Sequence, residues 1–117
     1  TIVHRRYAPF SAVLPRSAML VHHGGIGTLA QGLAAGAPQL IMPMAFDQPD
    51  NALRATALGA ARWLDPRQFT ADNVTQAFEE LLGNPAVAAG VRECRERLRG
   101  VDGIAMVCDL IEQGAKA

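Results

Sequence analysis

The sequence lacks a net charge and a long apolar run. Basic and acidic residues are equal in number, at 11 each among 117 residues, so no net field attracts a nucleic-acid backbone or an anionic membrane. The apolar runs are only a few residues long, whereas a helix that crosses a bilayer needs about 20. We therefore expect neither a transmembrane helix nor a nucleic-acid partner.

Cysteine is scarce, and the first residues carry no secretory pattern. Cys94 and Cys108 are too few for a disulfide framework, and both lie in helical patterns. They are expected to be free, buried thiols of a cytoplasmic protein. The start at Thr1 shows no basic and apolar leader pattern, so it is expected to be an internal start.

Short apolar runs alternate with helical patterns in residues 1–66. Strands are predicted over 2–4, 18–21, 39–42 and 61–64. The runs 18–21 and 39–42 are short and continuous, and they stop at a glycine cluster and at Pro43. The helices between them are predicted to end at Gly36 and Gly59. This order predicts an α/β fold with a parallel sheet of three to four strands and flanking helices.

Residues 67–117 read as a helical part of the same single domain. One helix is predicted from the cap Thr70 to Gly83, a second from Pro85, and a third from near Asp102. The second helix is expected to place Cys94 inward. By the same spacing, the third is expected to bury four residues: Ile104, Val107, Cys108 and Ile111.

The segment VHHGGIGT, residues 21–28, places three glycines between a strand and a helix. The first N–H groups of a helix are unpaired and carry partial positive charge, and glycine lets a phosphate approach the backbone. Thr28 adds a hydroxyl and His23 an imidazole. The segment therefore indicates a phosphate site, with a tight turn that binds no ligand as the alternative.

His22 and His23 are adjacent, so their side chains are expected to point to opposite sides of the extended strand end. One imidazole is then hydrogen-bonded in the core and the other is exposed, and at most one of the two touches a ligand. No Cys or His cluster with metal spacing accompanies them, so no metal site is predicted.

The segment AFDQPDNA, residues 45–52, follows the next strand and is expected at the same sheet edge, where ligands of open α/β sheets bind. Asp47 and Gln48 offer a carboxylate and an amide, which suit the neighbouring hydroxyls of a sugar ring. Asp47 can also serve as a helix N-cap, and the two roles can coexist.

Residues 7–59 resemble the donor-binding signature of GT-B glycosyltransferases of the UDP-glycosyltransferase class. The resemblance is strongest to bacterial members that act on lipids, sterols and macrolide or glycopeptide natural products. It rests on VHHGGIGT, then GAP, then a strand ending in proline, then DQPDNA. It implies a partial Rossmann-like domain, the carboxyl-terminal half of such an enzyme.

The resemblance also implies roles for individual residues. His23, Gly24, Gly25, Gly27 and Thr28 would bind the donor diphosphate. Gln31 would bind the ribose, although the family carries an acidic residue there, and Tyr7 and Phe10 would face the base, with uracil and thymine both open. Asp47 and Gln48 would hold the donor sugar.

The implied function is transfer of a sugar from a UDP- or dTDP-sugar to an acceptor hydroxyl, without cofactor or metal. The acceptor pocket and catalytic base belong to the family's amino-terminal domain, so this chain alone is expected to be inactive. The alternatives are a non-catalytic, self-associating fragment and, less favoured, a sugar epimerase of the same architecture. A missing half of the sheet should leave an exposed strand edge and an apolar face, and such surfaces predict a homo-oligomer.

Overall fold

The computed structural model describes residues 1–117, and its centre is a three-stranded parallel sheet. The strands are β1 (Leu20–His22), β2 (Gln39–Ile41) and β3 (Ala61–Trp63), side by side in that order. In register, Val21 lies beside Leu40 and Leu40 beside Arg62. The α/β class and the parallel sheet of three strands are confirmed.

Six helices surround the sheet: α1 (Phe10–Val13), α2 (Ile26–Ala35), α3 (Gln48–Ala57), α4 (Ala71–Gly83), α5 (Pro85–Leu98) and α6 (Gly103–Lys116). The predicted ends are confirmed where a glycine or a cap fixes them. Gly36 ends α2 in the left-handed region, with φ of 75°. The Thr70 hydroxyl accepts from the Asn73 N–H to begin α4.

The two faces of the sheet carry two separate cores. Ile41 points into the core formed by α2, α3 and α5, which also holds Cys94. Its neighbour Leu40 points to the opposite face, where it packs against Leu64 and against Leu81 of α4. Successive residues of a strand face opposite ways, so β2 is covered on both sides and its Gln39, Leu40 and Ile41 are fully buried.

Two structural predictions are wrong. Residues 2–4 form no strand, because no neighbouring strand pairs with them, and Ile2 is fully exposed. Helix α6 begins after Asp102 as expected, but it buries none of its residues, and Cys108 is exposed. None of the helices combines the length and apolar character that a membrane crossing requires.

Candidate functional site

Two loops meet at the carboxyl edge of the sheet. The first, residues 23–25, joins β1 to α2, and the second, residues 42–47, joins β2 to α3. Asn51 of α3 connects them, because its side-chain amide donates to the Gly24 carbonyl at 3.0 Å and to the Asp47 carboxylate at 2.8 Å. The two segments singled out in the sequence therefore form one surface.

The start of α2 presents four N–H groups that make no hydrogen bond within the chain, those of Gly25, Ile26, Gly27 and Thr28. No side chain caps this end of the helix. Gly27 has open space where a side chain would begin, since no atom lies within 4 Å of that position apart from its chain neighbours and the backbone of its own helix. The loop can therefore receive an anion against its backbone.

Gly24 has a different place from the other loop glycines. It is buried with φ of 93°, and a Cβ there would lie 3.0 Å from the Ile41 side chain and 3.2 Å from the Gln48 carbonyl. Its N–H donates to Nδ1 of His22 at 3.1 Å. The Gly24 N–H is therefore used inside the loop, and a role for Gly24 in diphosphate binding stays a prediction.

The structure distinguishes the two adjacent histidines. His22 is half-buried and hydrogen-bonded at both ring nitrogens, to Gly24 and to Gln39. Burial lowers the pKa of His22, the hydrogen bond with Gln39 opposes this, and the neighbouring His23 adds to the lowering. His23 is exposed, and its Nε2 lies 3.0 Å from where a Cβ of Gly25 would be. Of the two histidines, only His23 presents an exposed ring.

The second loop is shaped by Gln48, whose side-chain oxygen accepts from the N–H groups of Met44 at 2.8 Å and Ala45 at 3.1 Å. Its amide nitrogen makes no hydrogen bond within the chain and remains able to donate. Asp47 occupies the N-cap position of α3, but its side chain caps no backbone N–H. Its exposed carboxylate accepts only from Asn51.

Tyr7, Phe10 and Gln31, the residues predicted for base and ribose, line one groove of about 500 Å³. Gln31 lies one turn after Gly27 in α2, and its side-chain amide donates to the Gly27 carbonyl at 3.3 Å. Arg5 and Arg6 also line the groove. Sequence reasoning did not select these arginines, although a basic pair beside Tyr7 was visible as a signal.

An open α/β domain with a glycine-rich helix start at the carboxyl edge of a parallel sheet is the class that this fold and these two loops define. The chain belongs to the family described as Erythromycin biosynthesis protein CIII-like, C-terminal domain, whose model matches residues 2–102.

Named relatives of the chain are glycosyltransferases. It is 34% identical over 110 residues to O-mycaminosyltylonolide 6-deoxyallosyltransferase of Streptomyces fradiae, covering 93% of this chain and 26% of that protein. It is 33% identical over 107 residues to aklavinone 7-beta-L-rhodosaminyltransferase of Streptomyces galilaeus, covering 92% and 24%. The chain thus spans about a quarter of the length of these relatives.

Solved structures agree with this fold. The glycosyltransferase of kitacinnamycin superimposes with a TM-score of 0.81 at 39% identity, over 92% of this chain and 28% of that one. The glycosyltransferase VinC in complex with dTDP gives a TM-score of 0.82 at 27% identity, over 95% and 28%. The fold is therefore that of the carboxyl-terminal domain of GT-B glycosyltransferases.

Proposed function

We propose that this chain is the donor-binding domain of a glycosyltransferase that moves a sugar from a dTDP- or UDP-sugar to an acceptor hydroxyl. The observation that carries this proposal is the set of four unpaired N–H groups at the start of α2, beside the exposed His23. Membership in a family of glycosyltransferase domains supports it. The relatives named above are transferases, which favours this function over an epimerase.

The donor would lie along the carboxyl edge of the sheet. Its diphosphate would bind the N–H groups of Gly25, Gly27 and Thr28, together with His23. Its ribose and base would enter the groove of Gln31, Tyr7 and Phe10, where the Tyr7 ring can stack on a base. Asp47 and the free amide of Gln48 would bind hydroxyls of the sugar.

In the reaction, an acceptor oxygen attacks the anomeric carbon of the donor. The bond from that carbon to the diphosphate oxygen breaks, and its electron pair leaves with the nucleoside diphosphate. The helix N-terminus and His23 stabilise the negative charge that grows on this leaving group. The base that removes the acceptor proton is not among the residues described here, so we expect no transfer by this chain alone.

Thymidine diphosphate is the nucleotide that we propose, with UDP as the comparison. Two neighbouring structures, of VinC and of the spinosyn rhamnosyltransferase SpnG, are complexes with this nucleotide. Calorimetric titration of the 117-residue chain with dTDP and with UDP tests the choice. The expected result is saturable binding that favours dTDP, with NMR shifts at residues 24–28. A folded chain that binds neither nucleotide would refute the proposed function.

His23→Ala should weaken dTDP binding by about 1.5 to 3 kcal/mol, the range for a hydrogen bond to a charged group. The matched control is His4→Ala, since His4 is also exposed but lies in the amino-terminal segment and does not line the groove. Calorimetry measures both variants. Equal affinities for His23→Ala and the unmodified chain would remove His23 from the site.

A further inference from the structure

A continuous chain of hydrogen bonds runs beneath the glycine loop. The Gly24 N–H donates to Nδ1 of His22 at 3.1 Å, and Nε2 of His22 lies 2.7 Å from Oε1 of Gln39. The side-chain nitrogen of Gln39 then donates to the Leu29 carbonyl in α2 at 3.2 Å. These hydrogen bonds connect the loop, the end of β1, the start of β2 and the body of α2.

The donors and acceptors in this series of hydrogen bonds can be assigned in only one way. A backbone N–H can only donate, so Nδ1 of His22 is the acceptor and carries no proton. The Leu29 carbonyl can only accept, so the amide nitrogen of Gln39 faces it and Oε1 faces His22. Nε2 of His22 therefore carries the proton and donates to Oε1. A neutral His22 with its proton on Nε2 satisfies every bond, and a doubly protonated ring does not.

Gln39 is fully buried in the central strand, where an apolar residue would ordinarily lie. The fold makes room for it at Gly32 of α2, because a Cβ at that position would lie 2.6 to 2.8 Å from the Gln39 side-chain amide. No buried polar side-chain atom of the chain lacks a partner. A glycine inside a helix costs stability, and a buried glutamine is tolerated only when its hydrogen bonds are made, so this pairing calls for a role beyond packing.

We propose that His22 is a positioning residue, held by Gln39, that fixes the Gly24 peptide so that the free N–H groups of the next residues converge on the diphosphate. The inference rests on the proposed function for its ligand. The acceptor at Nδ1 holds the loop, whereas the contact at Nε2 only anchors the ring. Loss of the first should therefore reduce nucleotide affinity, and loss of the second should reduce stability.

Two substitutions separate these contacts. The Oδ1 atom of Asn can occupy the position of Nδ1, so His22→Asn keeps the acceptor for the Gly24 N–H. It removes the donor to the buried Oε1 of Gln39. The Nε2 atom of Gln can occupy the position of the ring Nε2, so His22→Gln keeps the donor to Gln39 and removes the acceptor for Gly24. The two variants are matched controls for each other.

The measurements are dTDP affinity by calorimetry, the urea midpoint of unfolding, and amide exchange at Gly24 by NMR. His22→Gln should bind dTDP about tenfold more weakly, because one loop hydrogen bond is lost, and its Gly24 amide should exchange faster. His22→Asn should have the lower urea midpoint, because it leaves a buried acceptor unpaired, yet keep an affinity within about threefold of the unmodified chain.

A purely structural role for His22 would make affinity follow stability, with His22→Asn the weaker binder, and that result would overturn the proposal. Unchanged Gly24 exchange in His22→Gln would overturn it as well. If the unmodified chain binds no dTDP, the proposed function fails. The Gly24 exchange rates of the two variants then still decide whether His22 fixes the loop.

Discussion

Phe46 adopts a left-handed backbone, with φ of 60°, in the loop that presents Asp47. A bulky residue in this region costs about 1 to 2 kcal/mol, and the Phe46 ring returns little packing because it is 94% exposed. Phe46→Gly should therefore raise the free energy of unfolding by about 1 kcal/mol, as measured by urea denaturation. Met44→Gly, in the same loop but without positive φ, should lower it.

The pH dependence of stability follows from His22. Burial lowers its pKa in the folded chain, so as the pH falls below about 6.5 the unfolded chain takes up a proton before the folded chain does. Stability from this group is complete above that pH and is lost as the pH falls towards the folded pKa. Urea midpoints from pH 8 down to about pH 5.5 should decline, and His22→Asn should flatten the decline. Equal slopes in both proteins would contradict the assignment.

Among single residues, the sequence predicted the two loops but not the bonds between them. The spacing of VHHGGIGT and DQPDNA was enough to bring both to one sheet edge. Successive side chains of a strand point to opposite faces, which predicted that one of the two histidines would be buried and the other exposed, but not which one would be buried. Gln39 and Asn51 were missed, because a lone amide side chain carries no pattern until its distant partners are in place. Gln39 bonds His22 and Leu29, 17 and 10 residues away, and Asn51 bonds Gly24, 27 residues away.

At the scale of elements, α5 packs unusually close to the turn that ends α3. Gly90 of α5 faces Gly59, and a Cβ on Gly90 would lie 2.6 Å from the Gly59 carbonyl oxygen. Gly90→Ala should therefore lower the free energy of unfolding by about 1 to 3 kcal/mol, because backbone must move. Gly114→Ala in α6, with open space around it, should raise stability slightly through helix propensity. A stabilised Gly90→Ala in urea denaturation would show that α5 does not pack so closely.

Element boundaries were predictable wherever glycine, proline or a capping side chain marks them. Pro85 and Asn84 begin α5, Gly36 ends α2, and each strand lies within about two residues of its predicted place. Burial was less predictable. The apolar spacing of α6 resembles that of α5, but periodicity reports that a helix has an apolar face and not whether anything covers it. For the same reason, Ile2 and Val3 have strand character without a strand to pair with.

At the scale of the whole molecule, the fold leaves the apolar face of α6 uncovered. Ile104, Val107 and Ile111 are 80%, 54% and 66% exposed. Exposed apolar surface of this kind favours association, so the homo-oligomer predicted from the sequence stays a prediction, and this face is the natural place to test it.

Ile111→Asp should shift the chain towards monomer in light scattering at high concentration, and should change the free energy of unfolding by less than about 0.5 kcal/mol. Gln113→Asp is the control, because it adds the same charge about 200° further round the helix, away from the apolar face. A chain that is already monomeric at high concentration would contradict the prediction.

The single side chain of Asn51 holds the Gly24 carbonyl and the Asp47 carboxylate at the same time, so the two loops cannot shift independently without breaking one of its bonds. A ligand that stabilises one of these loops therefore also stabilises the other loop, and such coupling between two binding sites is reciprocal. A diphosphate bound at the start of α2 would raise the affinity of residues 42–47 for a sugar. A sugar bound at Asp47 would raise the affinity for the diphosphate by the same factor. The whole donor should bind more tightly than its two halves measured apart would suggest.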